Sequence, residues 1–80
     1  YMQDNKNQIL DNIIIILRYD IDLAIQLCKG QNITGDEIVN RWFEYDDNIW
    51  YFGYVSELIR DSIDGKSTKE THDYIISELN

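Results

Sequence analysis

Apolar residues recur at Leu10, Ile13, Ile14, Leu17, Ile21, Ala24, Ile25 and Cys28, a spacing of three and four that returns to one side of an α-helix at every turn. It predicts a single long helix over residues 4–29. Ile9, Ile16, Leu23 and Leu27 widen the stripe, and Asp11, Arg18, Asp22, Gln26 and Lys29 fall opposite it, with Ile15 among them as an exposed apolar residue. A run of β-branched isoleucines also suits a strand, but the rest of the chain offers no partner strand or hairpin turn.

The punctuation agrees with an all-helical chain. There is no proline. Lys29-Gly30 is expected to close the first helix, with glycine in the left-handed conformation and lysine at the negative end of the helix dipole. Thr34-Gly35-Asp36-Glu37 has the form of a capping box, in which the threonine hydroxyl and the glutamate carboxylate satisfy each other's backbone amides. Ser67-Thr68-Lys69-Glu70 repeats the device after Gly65. Helices are therefore expected over residues 35–45 (Ile38, Val39, Trp42 and Tyr45 inward), 49–64 (Ile49, Phe52, Val55, Ile59 and Ile63 inward) and 68–79 (His72, Ile75, Ile76 and Leu79 inward). The predicted fold is all-α: one domain over residues 1–80, a four-helix, mostly antiparallel small bundle with a long first helix and short connections.

Composition narrows what such a bundle can do. Eighty residues, 44% of them hydrophobic, suffice for one packed core and no second domain. The longest unbroken apolar run, Ile13 to Leu17, is far short of the ~18 residues of a membrane span, and no charged leader with a cleavage site opens the chain, so a cytoplasmic protein is expected. Met2 is expected as the native start, with Tyr1 a remnant before it. Cys28 is the only cysteine, which excludes an internal disulfide. The net charge of −8 repels nucleic acid and anionic membrane alike; it serves solubility, or steers the protein onto a basic partner.

Chemistry finds little purchase. The one cysteine and one histidine, Cys28 and His72, both fall on apolar faces, where an inert thiol and a satisfied core histidine are the usual occupants. Residues 46–57 imitate a calcium loop at Asp46, Asn48 and Glu57, but place Trp50 where an oxygen ligand is needed and Tyr51 where glycine is needed. Two soft or imidazole side chains are too few for structural zinc. Asn32-Ile33-Thr34 matches a glycosylation acceptor but serves as loop and cap. There is no glycine-rich phosphate loop. Asp20 and Asp22 diverge around the helix, and Asp46 with Asp47 sits in a polar junction, so neither pair has the environment of an acid–base catalyst. No enzyme activity, metal or cofactor is expected.

The unusual feature is a cluster of acids. From Asp36 to Asp64 eight carboxylates (Asp36, Glu37, Glu44, Asp46, Asp47, Glu57, Asp61 and Asp64) meet two bases, Arg41 and Arg60. On a helix over residues 49–64 and its cap, Asp47, Tyr51, Tyr54, Glu57, Asp61 and Asp64 recur at three and four, setting carboxylates and phenols on one face. Like charges at i, i+4 such as Glu57 and Asp61 cost a few tenths of a kcal/mol, which packing does not require. Carboxylates interleaved with rings present to a basic groove what nucleic acid presents: spaced negative charge and flat stacking surfaces. The alternative is that Trp50, Tyr51 and Tyr54 fill gaps between helices.

Residues 30–47, from the Gly30-Gln31-Asn32-Ile33-Thr34 turn through the acidic cap at Asp36 and Glu37 and the aliphatic–aromatic helix to Glu44, Asp46 and Asp47, resemble the helix-junction segment of small bacterial immunity proteins of the colicin D type. The resemblance implies a helical cytosolic inhibitor that plugs the basic site of a cognate nuclease toxin, with Glu44, Asp46 and Asp47 as the nearest contact residues. The function expected from all of this is an acidic inhibitor whose partner-binding residues are Glu44, Asp46, Asp47, Tyr51, Tyr54, Glu57, Asp61 and Asp64. The partner would be a basic nuclease toxin, bound without direct nucleic acid or membrane contact. Two alternatives stand beside it: a phage-encoded inhibitor of a host defence nuclease, acting by the same mimicry, and a structural domain forming homodimers through Ile15 and exposed aromatics.

Overall fold

The computed structural model describes residues 2–45 and 53–80, with side chains from 5 to 44 and from 55 to 80. Every regular element among them is an α-helix: α1 (Met2–Leu17), α2 (Ile21–Gln31), α3 (Gly35–Tyr45), α4 (Gly53–Ile63) and α5 (Lys69–Leu79). The all-α expectation holds, but the described residues form five helices rather than four. The expected long first helix is two helices.

The break falls at residues 18–20. The amides of Tyr19 and Asp20 both donate to the carbonyl of Ile16 (2.9 and 2.8 Å), closing α1. The Asp20 carboxylate then accepts from the Leu23 amide at 3.1 Å, capping α2, a role worth about 1 kcal/mol. Periodicity cannot reveal this break. Leu17, Ile21, Ala24, Ile25 and Cys28 keep their three-and-four spacing across it, and every one of them is buried.

The end of α2 also differs from expectation. Gly30 lies inside the helix, and Asn32 takes the left-handed conformation (φ 55°) in its place. The Asn32 amide reaches Lys29 O, and the Ile33 amide reaches Cys28 O at 2.9 Å, the paired bonds of a Schellman turn. Ile33, 7% exposed, supplies the apolar contact that such a turn favours. At the start of α5 Thr68, rather than Ser67, accepts from the amide of Thr71. Ser67 is engaged elsewhere, and Glu70 closes no box. Gly65, with φ 79°, ends α4 as expected.

The expected capping box of α3 forms: the Thr34 amide donates to Glu37 Oε1 at 3.2 Å, and the Glu37 amide to Thr34 Oγ1 at 3.3 Å. One residue on, the amide of Gly35 donates to the Asp64 carboxylate at 2.9 Å. There α3 starts directly against the end of α4. A Cβ on Gly35 would lie 2.8 Å from the Arg60 Cα, inside any real van der Waals contact.

The core is continuous through all five helices. The apolar stripe of α1 and α2, from Leu10 to Cys28, meets Ile38, Val39 and Trp42 of α3, Val55, Ile59 and Ile63 of α4, and Ile75 of α5. Trp42, only 1% exposed, is the largest fully buried side chain, and the Arg18 guanidinium stands 5.5 Å from its ring centroid in cation–π range. The expected inward positions Ile49 and Phe52, the side chain of the expected inward Tyr45, and the expected start of a helix at residue 49 lie outside what the structure describes. No helix among the described residues is long and apolar enough to cross a membrane.

Replacing Gly35 by alanine ordinarily stabilises a helix by about 0.5–1 kcal/mol. Here the added methyl meets backbone, so Gly35→Ala is expected to destabilise by about 1–3 kcal/mol, the cost of overpacking, as read by urea denaturation followed by circular dichroism. An unchanged or raised midpoint would contradict the close approach of α3 and α4.

Candidate protein-binding surface

Each acid of the Asp36–Asp64 segment that the structure describes has its own surroundings. Asp36 lies 3.3 Å from Nη1 of Arg60, with its side chain 68% exposed. Glu37 pairs with Lys6 of α1 while serving the α3 capping box. Glu44 holds Nη1 of Arg41 at 2.6 Å, and the same guanidinium grips Asp11 of α1 through two bonds of 2.8 and 3.0 Å. Asp64 caps α3 through Gly35. Glu57 and Asp61, both exposed on α4, face no cation among the described residues.

The expected binding set is therefore only partly brought together. Glu57, Asp61 and Asp64 line the solvent side of α4 and its C-terminal turn. Asp36, which the expected set omits, joins them because the Gly35–Asp64 contact lays the first turn of α3 against the last of α4. Glu44 does not join them. It sits nine residues along α3 from Gly35, about 14 Å away along the axis, where it belongs to the Asp11–Arg41 network. Asp46, Asp47 and Tyr51 lie outside the described residues, as does the side chain of Tyr54. The signal for Asp36 lay in its place beside the capping threonine, which reads as a helix-dipole acid until tertiary structure sets α4 beside it.

The ion pairs of α1 and α3 are stitching rather than a site. Lys6–Glu37 and Arg41–Glu44 border an open cleft of about 230 Å³ that also includes Asn7, Leu10 and Asn40. The Lys6 ammonium and the Thr34 amide hold the Glu37 carboxyl below the usual carboxylate range. Asp11 and Glu44 push the Arg41 guanidinium further up, so its charge persists at every accessible pH.

A second polar chain joins α2, α4 and α5. His72 Nδ1 lies 2.9 Å from the Asp22 carboxylate and Nε2 lies 2.8 Å from Ser67 Oγ. Ser67 Oγ is in turn 2.7 Å from Ser62 Oγ at the buried end of α4. Carboxylate, imidazole and hydroxyl stand in the order that activates a serine, but Ser67 is drawn to Ser62 on its other side, and the chain fastens three helices together. His72 is satisfied, as expected, though half-buried rather than inward. In the sequence Ser67 reads as a helix cap and Asp22 as a surface acid, because only spatial proximity pairs residues 22, 67 and 72. Asp20 and Asp22 thus have separate tasks, one as a cap and one on His72.

Cys28 is fully buried, and burial, aided by the charges of Asp64 and Glu37, pushes its thiol up to about 11. A thiol that remains protonated is a poor nucleophile. Among the described residues no three His, Cys, Asp or Glu side chains converge as a metal site. The residues of the calcium-like spacing before α4 lie outside the described set.

No family model, curated protein or solved structure matches this chain.

Two measurements check these assignments. Because the folded thiol titrates above its ordinary value of 9.0, its contribution to stability is complete below pH about 9 and is lost as pH rises through about 11. Cys28 should accordingly resist a thiol reagent at neutral pH and react only on unfolding, whereas fast stoichiometric labelling of the folded protein would contradict its burial. Glu37 has the opposite sign. Its lowered value contributes stability above the unfolded carboxyl's range and loses it as pH falls through the folded value, so Glu37→Gln should flatten the acid limb of a stability profile.

Proposed function

We propose that this protein is an acidic protein inhibitor of the immunity type, which binds and blocks the basic active site of a nucleic-acid-cleaving toxin. The observation that carries the proposal is the pair Glu57 and Asp61, exposed one turn apart on α4 with no cation opposite among the described residues. Asp36 and Asp64 stand beside them. The acids elsewhere on α3 have structural partners; these two have none among the described residues, and their mutual repulsion slightly disfavours the helix. Such a cost, on a chain of net charge −8, fits a surface that attracts and orients a cationic partner.

Glu57 and Asp61 are about 6 Å apart along the helix axis, near the ~7 Å rise of two nucleotides in one strand. A groove lined with lysine and arginine to hold a phosphate backbone can receive such a ridge. Asp46, Asp47, Tyr51 and Tyr54 precede it in the chain and belong to the proposed binding set, the tyrosines as anchors. Glu44, held by Arg41, would contribute charge from the far end of α3. The resemblance of residues 30–47 to immunity proteins of the colicin D type supports the same reading.

The variant that tests this leaves the structural acids alone. Glu57→Lys with Asp61→Lys keeps a like-charged i, i+4 pair, so helix stability should barely move, whereas reversing Asp64 would also remove the α3 cap. Wild-type protein immobilised in lysate of the source cells should capture a basic nuclease, release it at high salt, and inhibit it when added back. The double variant should associate about tenfold or more slowly with that nuclease. Full inhibition by the double variant, with the wild-type rate and salt dependence, would overturn the assignment.

A further inference from the structure

We infer that His72 holds the first turn of α5 to α2 and α4 as a proton-dependent clasp, complete only while both of its ring nitrogens carry a proton. The clasp is read from donors and acceptors. Ser67 Oγ donates its one proton to Ser62 Oγ at 2.7 Å, so what it turns to His72 Nε2, 2.8 Å away, is a lone pair. The Asp22 carboxylate, 2.9 Å from Nδ1, has no proton to give. Two acceptors therefore face the two nitrogens, and only an imidazolium, which donates from both, satisfies them together.

Burial makes the inner link the sensitive one. Ser62 is 1% exposed, and the bond from Ser67 is the one hydrogen bond of its hydroxyl among the described residues. When Nε2 loses its proton it becomes an acceptor, and the single Ser67 proton has to serve either Nε2 or Ser62. One of the two then lacks its bond inside the protein, where an unpaired polar group is costly. Asp22, whose side chain is 65% exposed, is hydrated in either state.

Among the described residues Asp22 is the one charged group within hydrogen-bond reach of the ring. α5 packs on α4 and α2. From α2 the only further charge on the Asp22 flank is Lys29, two turns or about 10 Å along the helix. α4 presents the uncharged Ser62, while Asp61 is exposed and Asp64 is bonded to Gly35. Lys66 in the connecting turn and Lys69, Glu70 and Asp73 of α5 are exposed. A cation near the start of a helix gains nothing from the helix dipole, which leaves Asp22 to favour charge on His72. The sign of the linkage follows. The clasp adds stability on the acid side of the histidine range, and that contribution is lost as pH rises through it.

Urea unfolding of the wild type and of His72→Gln from about pH 5.5 to about pH 8.5 isolates this term, because carboxylates that titrate elsewhere, Glu37 included, act on both proteins. The unfolding constant of the wild type, relative to that of the variant, should rise at least about threefold between the two ends. His72 is the only histidine in the chain, so nitrogen NMR of the wild type follows its ring without ambiguity. At the acid end both ring nitrogens should carry protons protected from exchange, and the Ser62 and Ser67 amide signals should move with the ring's own titration. A ratio that stays flat across the range overturns the inference. Where the variant does not fold, the ring decides: an unprotected Nε2 proton at the acid end, or serine signals that stand still while the ring titrates, overturns it equally.

Discussion

The contact between Gly35 and the end of α4 is the constraint on which the placement of this protein's charges depends. Only a residue without a side chain lets the first turn of α3 meet the Arg60 backbone, and Asp64 secures that approach by accepting the Gly35 amide. Two consequences follow. The free amide at the start of α3 is satisfied by a residue 29 positions away, and Asp36 is carried to the acids of α4. Without that approach Asp36 would be one more acid in the first turn of a helix.

Around this junction the carboxylates divide by task. Asp11, Glu37 and Glu44 make surface ion pairs with Lys6 and Arg41, which individually stabilise little but fix how α1 lies on α3. Asp20, Asp22 and Asp64 each serve a backbone amide or an imidazole. Among the described residues Glu57 and Asp61 do none of this, and what holds the fold is the apolar core centred on Trp42, Leu17 and Ile59. The two acids can therefore be exchanged without dismantling the molecule. That separation of the binding surface from the stabilising network is what the inhibitor proposal rests on.

Much of the fold was legible in the sequence because burial obeys helical period. Each residue of the α1–α2 stripe from Leu10 to Cys28 is buried, Ile15 is exposed, and the Thr34–Glu37 box starts α3 where expected. The break at Asp20 was not legible, because the stripe keeps its register through it and a cap aspartate inside an apolar run looks like a surface residue. Asn32 in place of Gly30 shows the same limit: either residue can end a helix, and which one does depends on Ile33 reaching the core. Of the candidate site, exposure of Glu57 and Asp61 followed from periodicity. The ties on Glu44 and Asp64 did not, because Arg41 and Gly35 reach them through tertiary contacts.

The central claim is that the acidic ridge takes the place of nucleic acid in a basic groove, and it is tested most directly by competition. A nuclease captured by this protein would be loaded with a labelled, uncleavable oligonucleotide, and the label's anisotropy followed as the protein is added. The account predicts that the oligonucleotide is fully displaced and that no complex contains all three components. A ternary complex with the label still bound would place the protein outside the groove and contradict it.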